Sequence, residues 1–337
     1  MNANGHGAAA VPSARKPLPA PESLGAWMLA IRPKTLSAGA APVAVGGVMA
    51  ERFYLGHIWV QAFAFWQPWV RLGAVLLVAL GIQVGTNLVN DVADHFKGAD
   101  THERLGPPRV TSLGLLQPRV VIAAATASFG VAAAAGLWLL WTLADVGADI
   151  RIALVLGAIS LACGVLYTVG PVSIAYLGLG EVFVFGFFGL FATAGTTFAI
   201  TAVWVRPAVV AGAALGCLAA GLLETNNIRD IATDAPVGKK TLAVRLGDRR
   251  ARVMYAGVIA MAFVFGALVV PWWGAVALVA VCGPIAWRTV RPVLEGASGR
   301  DLIPVLQRNS TLEVVFGACL VVILLISPVH RVWNLVR

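Results

Sequence analysis

Nine apolar runs follow one another along this chain, at about residues 24–50, 71–92, 119–142, 152–170, 177–201, 207–229, 253–271, 274–290 and 311–329. Each approaches the roughly 20 residues that a helix needs to cross the hydrocarbon of a bilayer. A backbone in lipid has to satisfy its own hydrogen bonds, so runs of this length predict an all-α, polytopic membrane protein of about nine transmembrane helices. The composition agrees, with 59% hydrophobic residues, 12% charged residues and a mean hydropathy of +0.82. Very short Gly/Pro-marked links join 152–170 to 177–201 and 253–271 to 274–290, which predicts two tight antiparallel hairpins. Residues 1–22 are rich in Ala, Pro and Gly and lack an apolar core, and so read as a disordered cytoplasmic tail rather than a signal peptide. Residues 23–330 then form a single membrane-embedded domain.

With nine spans, 19 of the 25 Lys and Arg residues fall on the side of the tail and the even-numbered connections. Positive charge marks the cytoplasmic side, so the expected location is the cell (inner or plasma) membrane with the amino terminus inside. Most Trp residues fall on the opposite side, as an interfacial belt, and the stretch 53–69 reads as lying on that outer leaflet. The net charge of +9 is explained by loops facing anionic lipid, so the lipid bilayer is the expected partner and no nucleic acid is needed. The four cysteines, Cys163, Cys217, Cys282 and Cys319, lie in apolar runs without metal-binding spacing and read as small hydrophobes.

Two polar clusters interrupt this pattern. In the first, Asn87, Asp91 and Asp94 stand at i, i+4 and i+7, so they share one helical face. In the second, Asp230 and Asp234 share a face with Glu224 and Asn227. Thr86, Asn87, Asp91 and Ala93 lie over Thr225, Asn226, Asp230 and Ala232 with a constant offset of 139 residues, which marks an internal repeat. Carboxylates and amides at two helix ends suit a hard cation such as Mg²⁺. The neighbouring Lys97, Arg104, Arg109, Lys239 and Lys240 suit an anion held with that metal, and a diphosphate fits both. Because the rest of the cavity runs between apolar helices, the diphosphate is expected to carry a long isoprenyl chain. Its departure leaves an allylic cation, which aromatic faces can stabilise. Tyr167 and Tyr176, bracketing Gly170-Pro171, are the preferred aromatic candidates, while Glu181 reads equally well as a neutralised acid or as part of the site.

These residues resemble the UbiA superfamily of intramembrane aromatic prenyltransferases. The wording RPKTL at 32–36, NDVADHFKGAD at 90–100, ERLGPPRV at 103–110, LYTVGP at 166–171, GLGE at 178–181 and NNIRDIATDAPVGKKTLAVRLG at 226–247 is similar to its 1,4-dihydroxy-2-naphthoate polyprenyltransferase branch. The resemblance implies a fold of two four-helix pseudo-repeats plus one helix. It implies that Asp91, Asp94, Asp230 and Asp234 hold Mg²⁺, supported by Asn87 and Asn90. Lys97, Arg104, Arg109 and Lys239 would contact the diphosphate. The implied reaction joins a polyprenyl diphosphate to 1,4-dihydroxy-2-naphthoate with decarboxylation, giving demethylmenaquinol for menaquinone biosynthesis.

Two other readings remain open. A related enzyme could use another aromatic acceptor such as 4-hydroxybenzoate. A cation-coupled transporter would also carry intramembrane acids and a repeat, although here both acid clusters sit beside Arg and Lys residues that repel a cation.

Overall fold

The computed structural model of the chain describes residues 18–56, 67–96, 109–166, 177–236 and 238–328. The tail to residue 17 and the stretch 57–66 therefore lie outside the described residues. Helix α1 (Leu24–Ile31) ends at Arg32, whose φ of 56° turns the chain, and Pro33 opens α2 (Pro33–Gly56). Proline suits a first helical position because its missing N–H has no partner there anyway. The run expected over 24–50 is thus two helices, divided inside RPKTL.

The chain continues through α3 (Gln67–Phe96), α4 (Pro118–Asp145) and α5 (Arg151–Leu166). A composite helix follows, made of α6 (Gly180–Val184), a π-helical segment (Phe185–Phe191) and α7 (Ala192–Thr201). Then come α8 (Arg206–Asp234), α9 (Leu242–Leu246), α10 (Asp248–Val269), α11 (Trp272–Leu294) and α12 (Leu302–Ile326). Among the described residues, seven helical stretches are long and apolar enough to cross a membrane: Gln67–Phe96, Pro118–Asp145, Gly180–Thr201, Arg206–Asp234, Asp248–Val269, Trp272–Leu294 and Gly299–Ile326. The chain is a multi-pass, all-helical membrane protein. Of the nine runs read as spans, the remaining two are helical but fall short over the described residues: α2 is rich in Gly and Ala and carries Glu51 and Arg52, and α5 has 16 residues up to Leu166, where the described stretch ends.

Helix α8 is the hub, with 78% of its apolar stretch buried against 17% for α4. Small residues let its neighbours come that close. A methyl group on Gly189 of the π-helical segment would lie 2.3 Å from the Gly216 Cα of α8, so the two backbones touch. At one face of the bundle Arg71 donates to the carbonyls of Thr142 at 3.2 Å and Ile200 at 3.4 Å, tying the start of α3 to the ends of α4 and α7. The end of α3, the start of α6 and the end of α8 therefore share the opposite face. At that face α1 packs on α3 and on the 109–116 turn through Ala26, Ala30, Leu88, Val92, Val110 and Leu115.

The α10–α11 hairpin forms as expected, turning through Val270 and Pro271. The link 167–176 lies outside the described residues, and over the described ones the other expected hairpin is not a close-packed pair. α5 packs mainly on α3 and α4, and a cavity separates it from the composite helix that follows.

Candidate active site

The cavity has a volume of about 350 Å³ and is overwhelmingly apolar. Its walls run along α3 from Val75 to Asn90, a length of about 22 Å at 1.5 Å rise per residue. Phe183, Phe187, Phe188 and Phe191 face it from the composite helix. The Phe183 and Phe187 rings stack with centroids 5.8 Å apart, and Phe187 meets Phe191 edge to face at 6.4 Å. A π-helical turn shifts the register of the side chains after it, which is one reason such turns recur at functional sites. Polar groups reach the cavity mainly at the end nearer the acid clusters, where Gln83, Thr86, Asn87 and Asn90 descend one side of α3.

Each predicted acid is held by a partner. Asp91 is 1% exposed and accepts from the backbone N–H groups of Val110 at 3.0 Å and Thr111 at 2.9 Å, and from the Thr111 hydroxyl at 2.5 Å. Three of a carboxylate's roughly four lone-pair sites are thus taken, and the turn after residue 108 is moored to α3. Asp94 is ion-paired with Arg109, itself 7% exposed. In the second cluster Arg229 grips Asp230 with two bonds of 2.7 Å, and Lys239 reaches Asp234 at 2.8 Å. The Asn87 amide donates to the Ile31 carbonyl at 2.9 Å and the Thr35 hydroxyl at 3.0 Å, so it docks the break between α1 and α2.

Of the expected site residues, Lys97, Arg104, Tyr167 and Tyr176 lie outside the described residues. Asn227 is placed by its bond to the Glu181 carboxylate, and Glu181 also lies within hydrogen-bonding reach of Glu224. Glu181 is thus joined to the second cluster through α8 side chains, and no Lys or Arg ion-pairs with it among the described residues. Arg229, which stands directly before Asp230 in the sequence, is a further functional candidate that its spacing from the acids does not single out. No group of three or more His, Cys, Asp or Glu side chains converges to hold a metal by itself among the described residues. The donors the two clusters offer, the carboxylates of Asp91, Asp94, Asp230 and Asp234, are all oxygen, the chemistry that a hard cation such as Mg²⁺ takes.

The cavity has Asn87 and Asn90 at one end, and the paired acids and bases stand at the ends of α3 and α8 on that face of the bundle. Residues 53–297 fit the UbiA prenyltransferase family. The chain belongs to that family. This UbiA prenyltransferase is 39% identical over 299 residues to a 1,4-dihydroxy-2-naphthoate octaprenyltransferase of Mycobacterium tuberculosis, covering 88% of this chain and 95% of the relative. Its identity to a 1,4-dihydroxy-2-naphthoate octaprenyltransferase of Escherichia coli is 32% over 300 residues, 88% of this chain and 92% of that one. Its fold is that of a UbiA homolog from Aeropyrum pernix K1, at a TM-score of 0.59 and 19% identity over 85% of this chain and 97% of that one. A UbiA homolog from Archaeoglobus fulgidus bound to DMAPP and Mg²⁺ shares the fold at a TM-score of 0.53 and 14% identity, over 89% of this chain and 99% of that one.

Proposed function

We propose that this UbiA prenyltransferase transfers a polyprenyl group from a polyprenyl diphosphate to 1,4-dihydroxy-2-naphthoate, releasing diphosphate and CO₂ and giving demethylmenaquinol. The observation that carries the reading is the near full-length identity to naphthoate octaprenyltransferases, joined to a cavity whose one polar end meets a long apolar wall. A diphosphate headgroup belongs at the Asp94–Arg109 and Asp234–Lys239 rim, and the prenyl chain belongs along the Phe-lined wall.

Asp94, Asp230 and Asp234, with the remaining lone pair of Asp91, would hold Mg²⁺, exchanging their Arg and Lys partners for the metal. Mg²⁺ when bound neutralises the diphosphate and favours its departure. The released Arg109, Arg229 and Lys239 then face the same anion, and Lys97 and Arg104 are proposed to join them. As the C–O bond to diphosphate breaks, its electron pair leaves with the diphosphate. The Phe183–Phe187 pair offers ring faces to the allylic cation, and Tyr167 and Tyr176 are proposed to add theirs. The naphthoate carbon bearing the carboxylate forms the new C–C bond, and the pair from the breaking C–CO₂ bond restores the aromatic quinol. The wall of apolar side chains excludes water from the cation. We place the active-site opening on the cytoplasmic side of the cell membrane, on the distribution of basic residues.

The test supplies purified protein with Mg²⁺, a radiolabelled prenyl diphosphate and either 1,4-dihydroxy-2-naphthoate or 4-hydroxybenzoate, and follows both product and CO₂. Preferred turnover of the naphthoate with one CO₂ per product is expected. Preferred prenylation of 4-hydroxybenzoate with its carboxylate retained would overturn the acceptor assignment.

A further inference from the structure

We infer that Gln83 determines acceptor specificity by accepting a hydrogen bond from a ring hydroxyl of the aromatic substrate. The inference rests on the prenyltransferase reading above and names the chemistry of its acceptor subsite. Gln83 lies seven residues before Asn90 on α3, about 10 Å further into the cavity at the helical rise. It is 9% exposed, it lines the cavity, and its Oε1 has no hydrogen-bond donor. An unmet buried acceptor is costly, and a polar side chain in mid-span marks a functional position by default.

The other polar groups along this wall differ. The Ser160 hydroxyl donates to the Leu156 carbonyl at 2.7 Å, and the Thr196 hydroxyl to the Ala192 carbonyl at 2.5 Å, so their protons are already engaged. A methyl group on Gly164 of α5 would lie 2.9 Å from the Thr86 Oγ1, which levels Gly164 with Thr86. Stepping three to four residues further into the cavity along these two parallel helices brings Ser160 level with Gln83. At this depth the cavity therefore presents acceptor oxygens from two helices.

A prenyl chain has no donor to give them, and a diphosphate oxygen is itself an acceptor. The aromatic acceptor, with two ring hydroxyls, is the one proposed substrate that carries donors. Gln83 thus discriminates a hydroxylated ring from its deoxy analogue, because a site built for a hydroxyl leaves a buried group unpaired when that hydroxyl is missing.

Gln83→Leu keeps the side-chain volume and removes the amide. The expected result is a roughly ten-fold rise in the KM for 1,4-dihydroxy-2-naphthoate, as for one lost hydrogen bond. The KM for prenyl diphosphate should stay within about two-fold, and the Tm of the ligand-free protein should hold or rise because an unmet acceptor has been removed. As a second measurement, 1-hydroxy-2-naphthoate should inhibit wild type more weakly than the diol substrate binds, while Gln83→Leu should show no such gap. An unchanged naphthoate KM, a prenyl diphosphate KM raised to the same extent, or a lowered Tm with both constants raised would each overturn the assignment. Should wild type prefer 4-hydroxybenzoate, the acceptor reading fails separately, and the same comparison run on that hydroxylated ring still decides the role of Gln83.

Discussion

Asp91 on α3 accepts two hydrogen bonds from Thr111, twenty residues further along, at 2.9 Å from its N–H and 2.5 Å from its hydroxyl. An acid that reads in the sequence as one of four equivalent metal ligands therefore also moors a turn. Asp91→Ala should lower both turnover and stability, the latter by about 1–3 kcal/mol for the buried donors left unmet. Asp230→Ala, whose partner Arg229 can turn elsewhere, should cut turnover by on the order of 10²-fold with little change in Tm. Parallel kinetics and thermal unfolding in detergent check the contrast. Equal Tm losses in the two variants would show that the acids do not divide this way.

Arg109 is paired with Asp94 and Lys239 with Asp234, and the proposed function gives both cations a diphosphate to hold. Arg109→Ala should raise the KM for prenyl diphosphate at least ten-fold, and Arg109→Lys should recover only part of it, because Lys lacks the planar fork that grips two oxygens. Chelation with EDTA should abolish turnover, and added Mg²⁺ should restore it. Full activity in EDTA would rule out the metal assignment.

Seven of the nine expected spans, and the acids that share one helical face, are legible in the sequence because each rests on local periodicity. An Asp at i+4 shares its face with its neighbour whatever the fold does. The 139-residue offset likewise exposed both clusters without any tertiary information. What was not legible depends on packing. Nothing local distinguishes Asp91, facing a backbone turn, from Asp94, facing Arg109. The expected close hairpin of α5 with the next helix gave way to a cavity, since short links constrain proximity and not the gap between side chains. Gln83 is one more polar residue of α3 in the sequence, and only the packing around it shows that its buried Oε1 has no donor.

The proposed orientation, with the amino terminus and the active-site opening inside, rests on 19 of 25 basic residues falling on one side when nine spans are counted. A phosphatase reporter joined after Arg337 should be active outside the cytoplasm, while a reporter inserted at Gly238, between the second acid cluster and α9, should be active only inside. Activity of both on one side would require an even number of crossings between Gly238 and Arg337, where α10, α11 and α12 supply three.

Gly216 offers a test of how the cavity wall is held. A methyl group there would lie 2.6 Å from the Phe185 carbonyl oxygen, closer than side-chain carbons tolerate, and a tight 3.2 Å from the Gly189 Cα, and both contacts are backbone. Gly216→Ala must therefore push the π-helical segment away from α8 and carry Phe187, Phe188 and Phe191 with it. Overpacking of this kind costs about 1–3 kcal/mol, so a lowered Tm is expected. Because those rings line the apolar part of the cavity, the KM for prenyl diphosphate should rise several-fold and rise more for longer chains, while the naphthoate KM stays near wild type. Gly157→Ala, on the α5 wall with nothing within 4 Å of the added methyl, serves as the control and should leave Tm unchanged. A Gly216→Ala protein with normal prenyl kinetics would show that the close helix contact supports the fold alone and does not set the shape of the prenyl wall.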